Sequence, residues 1–263
     1  MLHPLITALM RLEEALAVST MLRHRRSAER KMRRLVRRIF REQAANVDSA
    51  MFGYLPKSDI VSASYWQAME PVLASALSVS LAHLDAFAAL LDAAYKVGGD
   101  DGDRELREDV QPPLTRDMRR RAAERIAGID ATTRELLQAL IEQAIAENWA
   151  YTKLAARIRK TFKDFGRAVP QRHLRDRAEL IAVTEIGQAY IDGQLDNAQR
   201  LVDRGAQIEK SWLTVGDDRV SDGCQSNQGA GWIAFANTFP SGHAAPLRFP
   251  GCRCALQTRR KVG

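Results

Sequence analysis

Three groups of residues have the types and spacing to do chemistry. The first is a set of thiols, Cys224, Cys252 and Cys254, all in the last forty residues. An odd, clustered set does not make the disulfide framework of a secreted domain; it points to a metal or packing feature in a reducing compartment. A structural zinc site takes four N or S ligands, and His243 is the only nearby group that could join the thiols, so Cys224, His243, Cys252 and Cys254 are weak metal candidates and no metal or other cofactor is expected. The second group is a run of ten Lys/Arg between Arg23 and Arg41 against one acid, Glu29, a local charge of +9. The third is Thr184-Glu185 inside a helical stretch, where the carboxylate could serve as a general base. No nucleophile or cofactor motif accompanies it, so the expected role is structural, with Glu185 pairing Arg219 or capping a loop as the helix packs on the segment from Trp212 to Val220.

The basic run carries the charge of the whole chain. Lys and Arg number 39 against 32 Asp and Glu, a net +7, so everything outside the run is slightly acidic. On a helical wheel Met32, Leu35, Val36 and Ile39 share one face with Phe40 at its edge. Arg26, Arg30, Arg33, Arg34, Arg37, Arg38 and Arg41 fill the opposite arc. Nine of the ten cations are arginine, which suits bidentate phosphate contact. Without interleaved aromatics such contact would be independent of sequence. A solvated face, an acidic protein patch and a membrane surface are the competing partners for these charges. The apolar arc has no Trp, which argues against the membrane.

The elements around these groups read as mainly α. An N-terminal helical region, 1–111, comprises a helix beginning near Leu5, the basic helix at about 23–43 and an apolar helix at about 62–95 that Pro71 ends or kinks. Pro56 and Lys57-Ser58-Asp59 separate the last two. Gly98-Gly99-Asp100-Asp101-Gly102-Asp103 reads as a solvated acidic loop, and Gln111-Pro112-Pro113 as a boundary. The region 112–263 holds a helical middle section, Arg116 to Ile129, Thr132 to Glu147, Tyr151 to Phe162 and His173 to Asp203, with breaks at Gly128, Asn148 and Gly166 to Pro170. Beyond Gly205 the texture changes to a small mixed α/β module with short strands around Trp212-Leu213 and Trp232-Ile233. Leu2 to Met10 is too short and too soon charged for a signal peptide. Asp85 and Asp92 make Pro71 to Ala94 a buried helix rather than a membrane span. Synthesis in the cytoplasm is expected.

Dinucleotide-binding, P-loop, zinc-protease and nucleophile-elbow motifs are absent, and no catalytic residue is expected. A series in the C-terminal half is informative instead: Arg177-Ala178-Glu179-Leu180-Ile181-Ala182-Val183-Thr184-Glu185, Ala189-Tyr190, Gly193, Lys210-Ser211-Trp212-Leu213-Thr214, Asp217-Asp218-Arg219-Val220 and Pro250-Gly251-Cys252-Arg253-Cys254. This series, over roughly 115 to 257, resembles the Mu F-like phage head morphogenesis family, with Trp149 to Phe162 similar to its upstream helix. The resemblance marks Thr184, Glu185, Trp212, Asp218, Arg219, Cys224, Cys252 and Cys254 as the structural motif. Val183, Ser221 and Phe249 stand where the family pattern has Arg, Cys and His.

The resemblance implies a structural minor head protein of a tailed phage or prophage. It would be made in the host cytoplasm and carried in the virion, inside the capsid near the portal vertex, and would act in head assembly and genome packaging or delivery. Its implied partners are the portal protein and double-stranded phage DNA, with scaffold or major capsid protein as further candidates and no membrane. The alternatives are a zinc-dependent nucleic-acid-processing protein and a toxin-related member of the family.

Overall fold

The computed structural model describes residues 4–53, 61, 63–106, 116–164 and 176–261. Pro56 to Asp59, the Gln111-Pro112-Pro113 boundary, the break at Gly166 to Pro170 and the start of the last long helix at His173 lie outside them. Among the described residues the chain is mainly α with a small three-stranded antiparallel sheet near its C-terminus.

The helices are α1 (Pro4–Gly53), α2 (Ala63–Ala76), α3 (Leu81–Leu106), α4 (Arg116–Ala146), α5 (Tyr151–Asp164) and α6 (Arg177–Asp203). The strand β1 (Ile208–Leu213), a short helix α7 (Asp222–Gly229), β2 (Trp232–Ala234) and β3 (Ala255–Arg260) complete the chain. The expected N-terminal helix and basic helix are one element of 50 residues, about 75 Å long at 1.5 Å per residue. Met32, Leu35, Val36, Ile39 and Phe40 are all buried on it, as the wheel predicts.

Three expectations about breaks are corrected. Pro71 lies inside α2 without ending it. The break comes at Ser78-Val79-Ser80, where Ser78 Oγ donates to Ser75 O and the Ser80 hydroxyl accepts from the His83 amide as an N-cap for α3. Gly128 does not interrupt α4, which continues as one helix to Ala146. The glycine- and aspartate-rich stretch from Gly98 to Asp103 is helical, the last turns of α3. Its composition reads as loop because glycine is a poor helix former, but Gly98 is there for packing. A Cβ on Gly98 would stand 2.1 Å from Tyr190 O, and one on Gly193 of α6 would stand 2.1 Å from Tyr95 O. Helices α3 and α6 therefore cross backbone to backbone through paired glycines. The expected break at Asn148 holds: its φ of 51° is left-handed, a conformation that stops a helix and that Asn tolerates.

Packing joins the two halves. One apolar cluster gathers the buried faces of α1, α3, α4 and α6, including Met32, Phe87, Ile126 and Ile186. A second ties the end of α1 to α2, α4 and α5 around Leu77, Ile141 and Trp149. Gln43 bridges these bodies, donating to Leu77 O at 2.6 Å and to Asp130 at 2.8 Å. A third packs Met21 of α1 and Tyr190 of α6 on Trp212, Phe239 and the cysteines. No single helix among the described residues is long and apolar enough to cross a membrane. The segments Glu70–Ala76 and Leu81–Asp100 pass that test only as a pair, bent by 53°.

The sheet order is β2-β1-β3, with Trp212 opposite Leu256 and Lys210 opposite both Ile233 and Thr258. The strands around Trp212 and Trp232 match the sequence reading; β3 and α7 carried no signal that it recognised.

The glycine crossing makes a testable contrast. Gly98→Ala and Gly193→Ala should each lower unfolding free energy by about 1–3 kcal/mol, because the methyl meets backbone. Gly128→Ala, with nothing within 4 Å of its added Cβ, should raise it by about 0.5–1 kcal/mol. Urea melts of the three variants measure both signs.

Candidate functional site

The arginines of α1 divide by depth. Arg26, Arg30, Arg34, Arg38 and Arg41 are exposed, and four of the five recur every fourth residue, one stripe along the helix. Arg30, Arg34 and Arg38 have no ion pair among the described residues. Arg33, on the shoulder, and Arg37, itself exposed, converge on Asp176, Arg33 at 2.6 Å. Burial works to raise the Asp176 pKa, but the hydrogen bonds from both arginines and from the Glu179 amide hold it below the usual carboxylate value. Asp176 also caps α6, accepting from the Glu179 amide at 2.8 Å. Lying outside the basic arc, it gave no sequence signal for this pairing.

Arg25 is buried. Its Nε bonds Glu29 at 2.8 Å, its Nη1 donates to Cys254 O at 2.7 Å, and its Nη2 donates to Cys252 O at 3.3 Å. The guanidinium passes over Gly187, where an added Cβ would stand 2.6 Å from Nη2. A residue that belongs by sequence to the charge run is thus a tie between α1 and the Cys252-Arg253-Cys254 segment. Next to it, a cavity of about 330 Å³ is lined by Arg25, Arg26, Arg30, Arg33 and Arg253, with Glu29, Glu179 and Val183 in its wall. Burial raises the Glu29 pKa against the opposing pull of Arg25.

Thr184 and Glu185 are both engaged, though not as expected. Thr184 Oγ1 donates to Leu180 O at 2.7 Å and accepts from the Gly251 amide at 2.9 Å, so it seats the Pro250-Gly251 turn on α6. Glu185 pairs with Arg125 of α4, not with Arg219. It faces α4 because successive helix residues diverge by about 100°. Burial raises the Glu185 pKa, with Arg125 opposing. Arg219 is exposed and lies 4.0 Å from the still more exposed Asp218. The ordered acid of that loop is Asp217, which binds Arg253 at 2.7 Å and accepts from the Arg219 amide.

The C-terminal module is built on Trp212. Trp212 is 1% exposed and meets Phe239 edge-on, with ring centroids 5.2 Å apart. Asn227 clamps the loop behind it, exchanging bonds of 2.8 and 3.0 Å with Ser241. Lys210, which the sequence marks only as part of the Trp212 segment, is buried with Nζ over Phe235 and Phe239 at 5.3 and 5.7 Å. Burial lowers its pKa.

Cys224, on the first turn of α7, meets Cys252 and Cys254, which precede β3. The three are buried, free thiols, all with sulfurs within 4.8 Å of one another. Hydrogen bonds from Cys252 and Cys254, with help from the Ser221 hydroxyl and from Arg248, lower the Cys224 pKa, whereas the bond to Cys224 raises those of Cys252 and Cys254. His243 is not in this group; its Nδ1 lies 3.0 Å from Ser241 Oγ.

Residues 135–257 match the family model described as Phage Mu protein F like protein, a span that includes every motif residue from Thr184 to Cys254. No curated protein and no solved structure matches the chain.

Two outcomes follow from the site's geometry. Asp176→Asn keeps a cap but loses the charge between two arginines, and should cost about 1–3 kcal/mol at neutral pH. Because the folded pKa lies below the unfolded value of about 3.9, this stabilisation is complete above that value. It is lost as pH falls through the folded pKa. Wild type and variant melts should therefore converge in acid, and a gap unchanged at about pH 2 would refute the assignment. Trp212→Ala should cost about 3–5 kcal/mol. Limited proteolysis should then cut the C-terminal module first, with α1 protected; an unchanged pattern would mean that the module does not depend on this indole.

Proposed function

Residues 135–257 are a Mu F-like segment, and from that premise we propose that the protein acts in phage head morphogenesis as a structural minor head protein. It is carried in the virion, inside the capsid near the portal vertex, and takes part in head assembly and in genome packaging or delivery. Its partners are the portal protein and double-stranded phage DNA, with scaffold or major capsid protein as further contacts. The role is structural rather than catalytic. Thr184 and Glu185 support this, since both spend their polar atoms on holding α6 to its neighbours.

The observation that carries the DNA reading is the exposed stripe Arg26, Arg30, Arg34, Arg38 and Arg41. Buried Met32, Leu35, Val36 and Ile39 hold the other face of α1 on the body, so the stripe is presented outward on a rigid rod. It runs about 22 Å, a length over which a duplex offers roughly one phosphate charge per 1.7 Å. The neighbouring arginine-lined cavity adds a recess in which a phosphate group would meet several guanidinium donors. Nothing in the stripe offers a base-reading pattern, and the contacts are to backbone.

Binding to double-stranded DNA should be independent of sequence and should weaken steeply with salt, through counterion release. Arg30→Gln, Arg34→Gln, Arg38→Gln and Arg41→Gln combined leave the Asp176 and Cys254 contacts untouched. They should weaken binding about 10-fold or more and reduce the log–log salt slope by about 0.9 per lost phosphate contact. Fluorescence anisotropy across a salt series reads both, and an unchanged slope refutes the stripe as the DNA contact.

A further inference from the structure

We propose that Cys224, Cys252 and Cys254, completed by the Ser221 hydroxyl, form a binding site for one thiophilic divalent cation of the zinc type. This departs from the metal-free expectation, which rested on counting ligand types along the sequence.

The spacing is the first argument. Tetrahedral zinc with bonds of about 2.3 Å to sulfur sets its thiolates about 3.8 Å apart. Cys224 Sγ and Cys252 Sγ are 3.9 Å apart, and the sulfur of Cys254 lies within 4.8 Å of both. The three therefore already outline one face of such a tetrahedron. Their softness selects zinc or a similar cation over magnesium or calcium.

The second argument is a set of buried polar atoms around the thiols that find no nitrogen or oxygen partner: Ser221 Oγ, beside Cys224, Trp212 Nε1, beside Cys254, and Arg248 Nε. Ser221 is the N-cap of α7, yet its side chain makes no cap bond, although a serine there ordinarily accepts from the first turn. Cys224 stands three residues on, on the same side of the helix. Ser221 thus holds an unused oxygen ligand beside the sulfur triad. Trp212 and Arg248 are donors, and metal-bound thiolates would be stronger acceptors for them than neutral thiols. Such outer-sphere bonds orient the ligands of a metal site.

Charge gives the third. Binding releases the three thiol protons to solvent, so a divalent cation with three thiolates carries one net negative charge. Arg25, donating to Cys252 O and Cys254 O, and Arg248, which packs over Gly223 beside Cys224, offset it.

The test is a cobalt titration of the full chain, stripped of metal by a chelator and reduced with a phosphine. Sulfur-to-cobalt charge-transfer absorption should saturate at one ion per chain, be displaced by zinc, and weaken as pH falls because protons compete for the thiolates. Ser221→Ala should lower the affinity about 10-fold or more, and Ser221→Cys should raise it and strengthen the absorption. Absence of the charge-transfer band from the folded, reduced protein overturns the site. Affinity unchanged in both Ser221 variants overturns the serine as fourth ligand. Cys254→Ser should weaken the band by about a third or more, and its retention there with unchanged intensity overturns the three-thiolate set.

Discussion

The structure turns on one buried guanidinium. Arg25 leaves α1, crosses α6 where Gly187 has no side chain, and ends on the carbonyls of Cys254 and Cys252. Those carbonyls belong to the segment that enters β3 and carries two of the three thiols. Removing one partner of a buried, hydrogen-bonded charge costs about 3–5 kcal/mol, because the groups left behind have no water to turn to. Arg25 therefore fixes the rotation of α1 about its own axis as well as its position. That rotation turns Met32, Leu35 and Ile39 inward and Arg30, Arg34 and Arg38 outward.

The paired glycines act in the same direction. With no Cβ at Gly98 or Gly193, α3 and α6 approach closely, and Tyr95 reaches Asp196 at 2.6 Å across the crossing. α6 in turn carries Asp176, which anchors Arg33 and Arg37, and Thr184, which seats Gly251. One helix thus has the arginine face of α1 at its N-terminal end and the thiol-bearing turn further along. An alteration in either region bears on the other through rigid packing, since a core filled by Phe87, Leu91 and Ile186 deforms little.

The sequence was legible where local rules decide the outcome. The buried face of α1 follows from a 3.6-residue period, the stop at Asn148 from its tolerance of left-handed backbone, and the strand at Trp212 from its β-favouring residues. It misled where tertiary contact overrides local preference. Glycines from Gly98 to Gly102 read as loop, but the crossing with α6 repays their helix cost. Pro71 sits at the ninth of the fourteen residues of α2, and the helix runs on past it to Ala76. Arg25 is chemically identical to its exposed neighbours, and only the partner across α6 distinguishes it. The Glu185–Arg125 pair joins residues 60 apart in sequence, a separation at which no spacing rule operates.

The thiol cluster shows the same limit from the opposite side. Ligand types were plain in the sequence, and their number fell short of a full zinc set. Counting could not reveal that half-buried Ser221, in place of a cysteine, holds its hydroxyl oxygen out of water beside Cys224, or that Phe249 packs into the apolar layer instead. Three thiols closed on one another, beside donors from Trp212 and Arg248 that have at most a weak sulfur acceptor, are costly to bury as they stand, because each weakly satisfied polar atom gives up its water for little. A cation at their centre would take the three sulfurs and the Ser221 oxygen as ligands and leave thiolates as acceptors for the Trp212 and Arg248 donors.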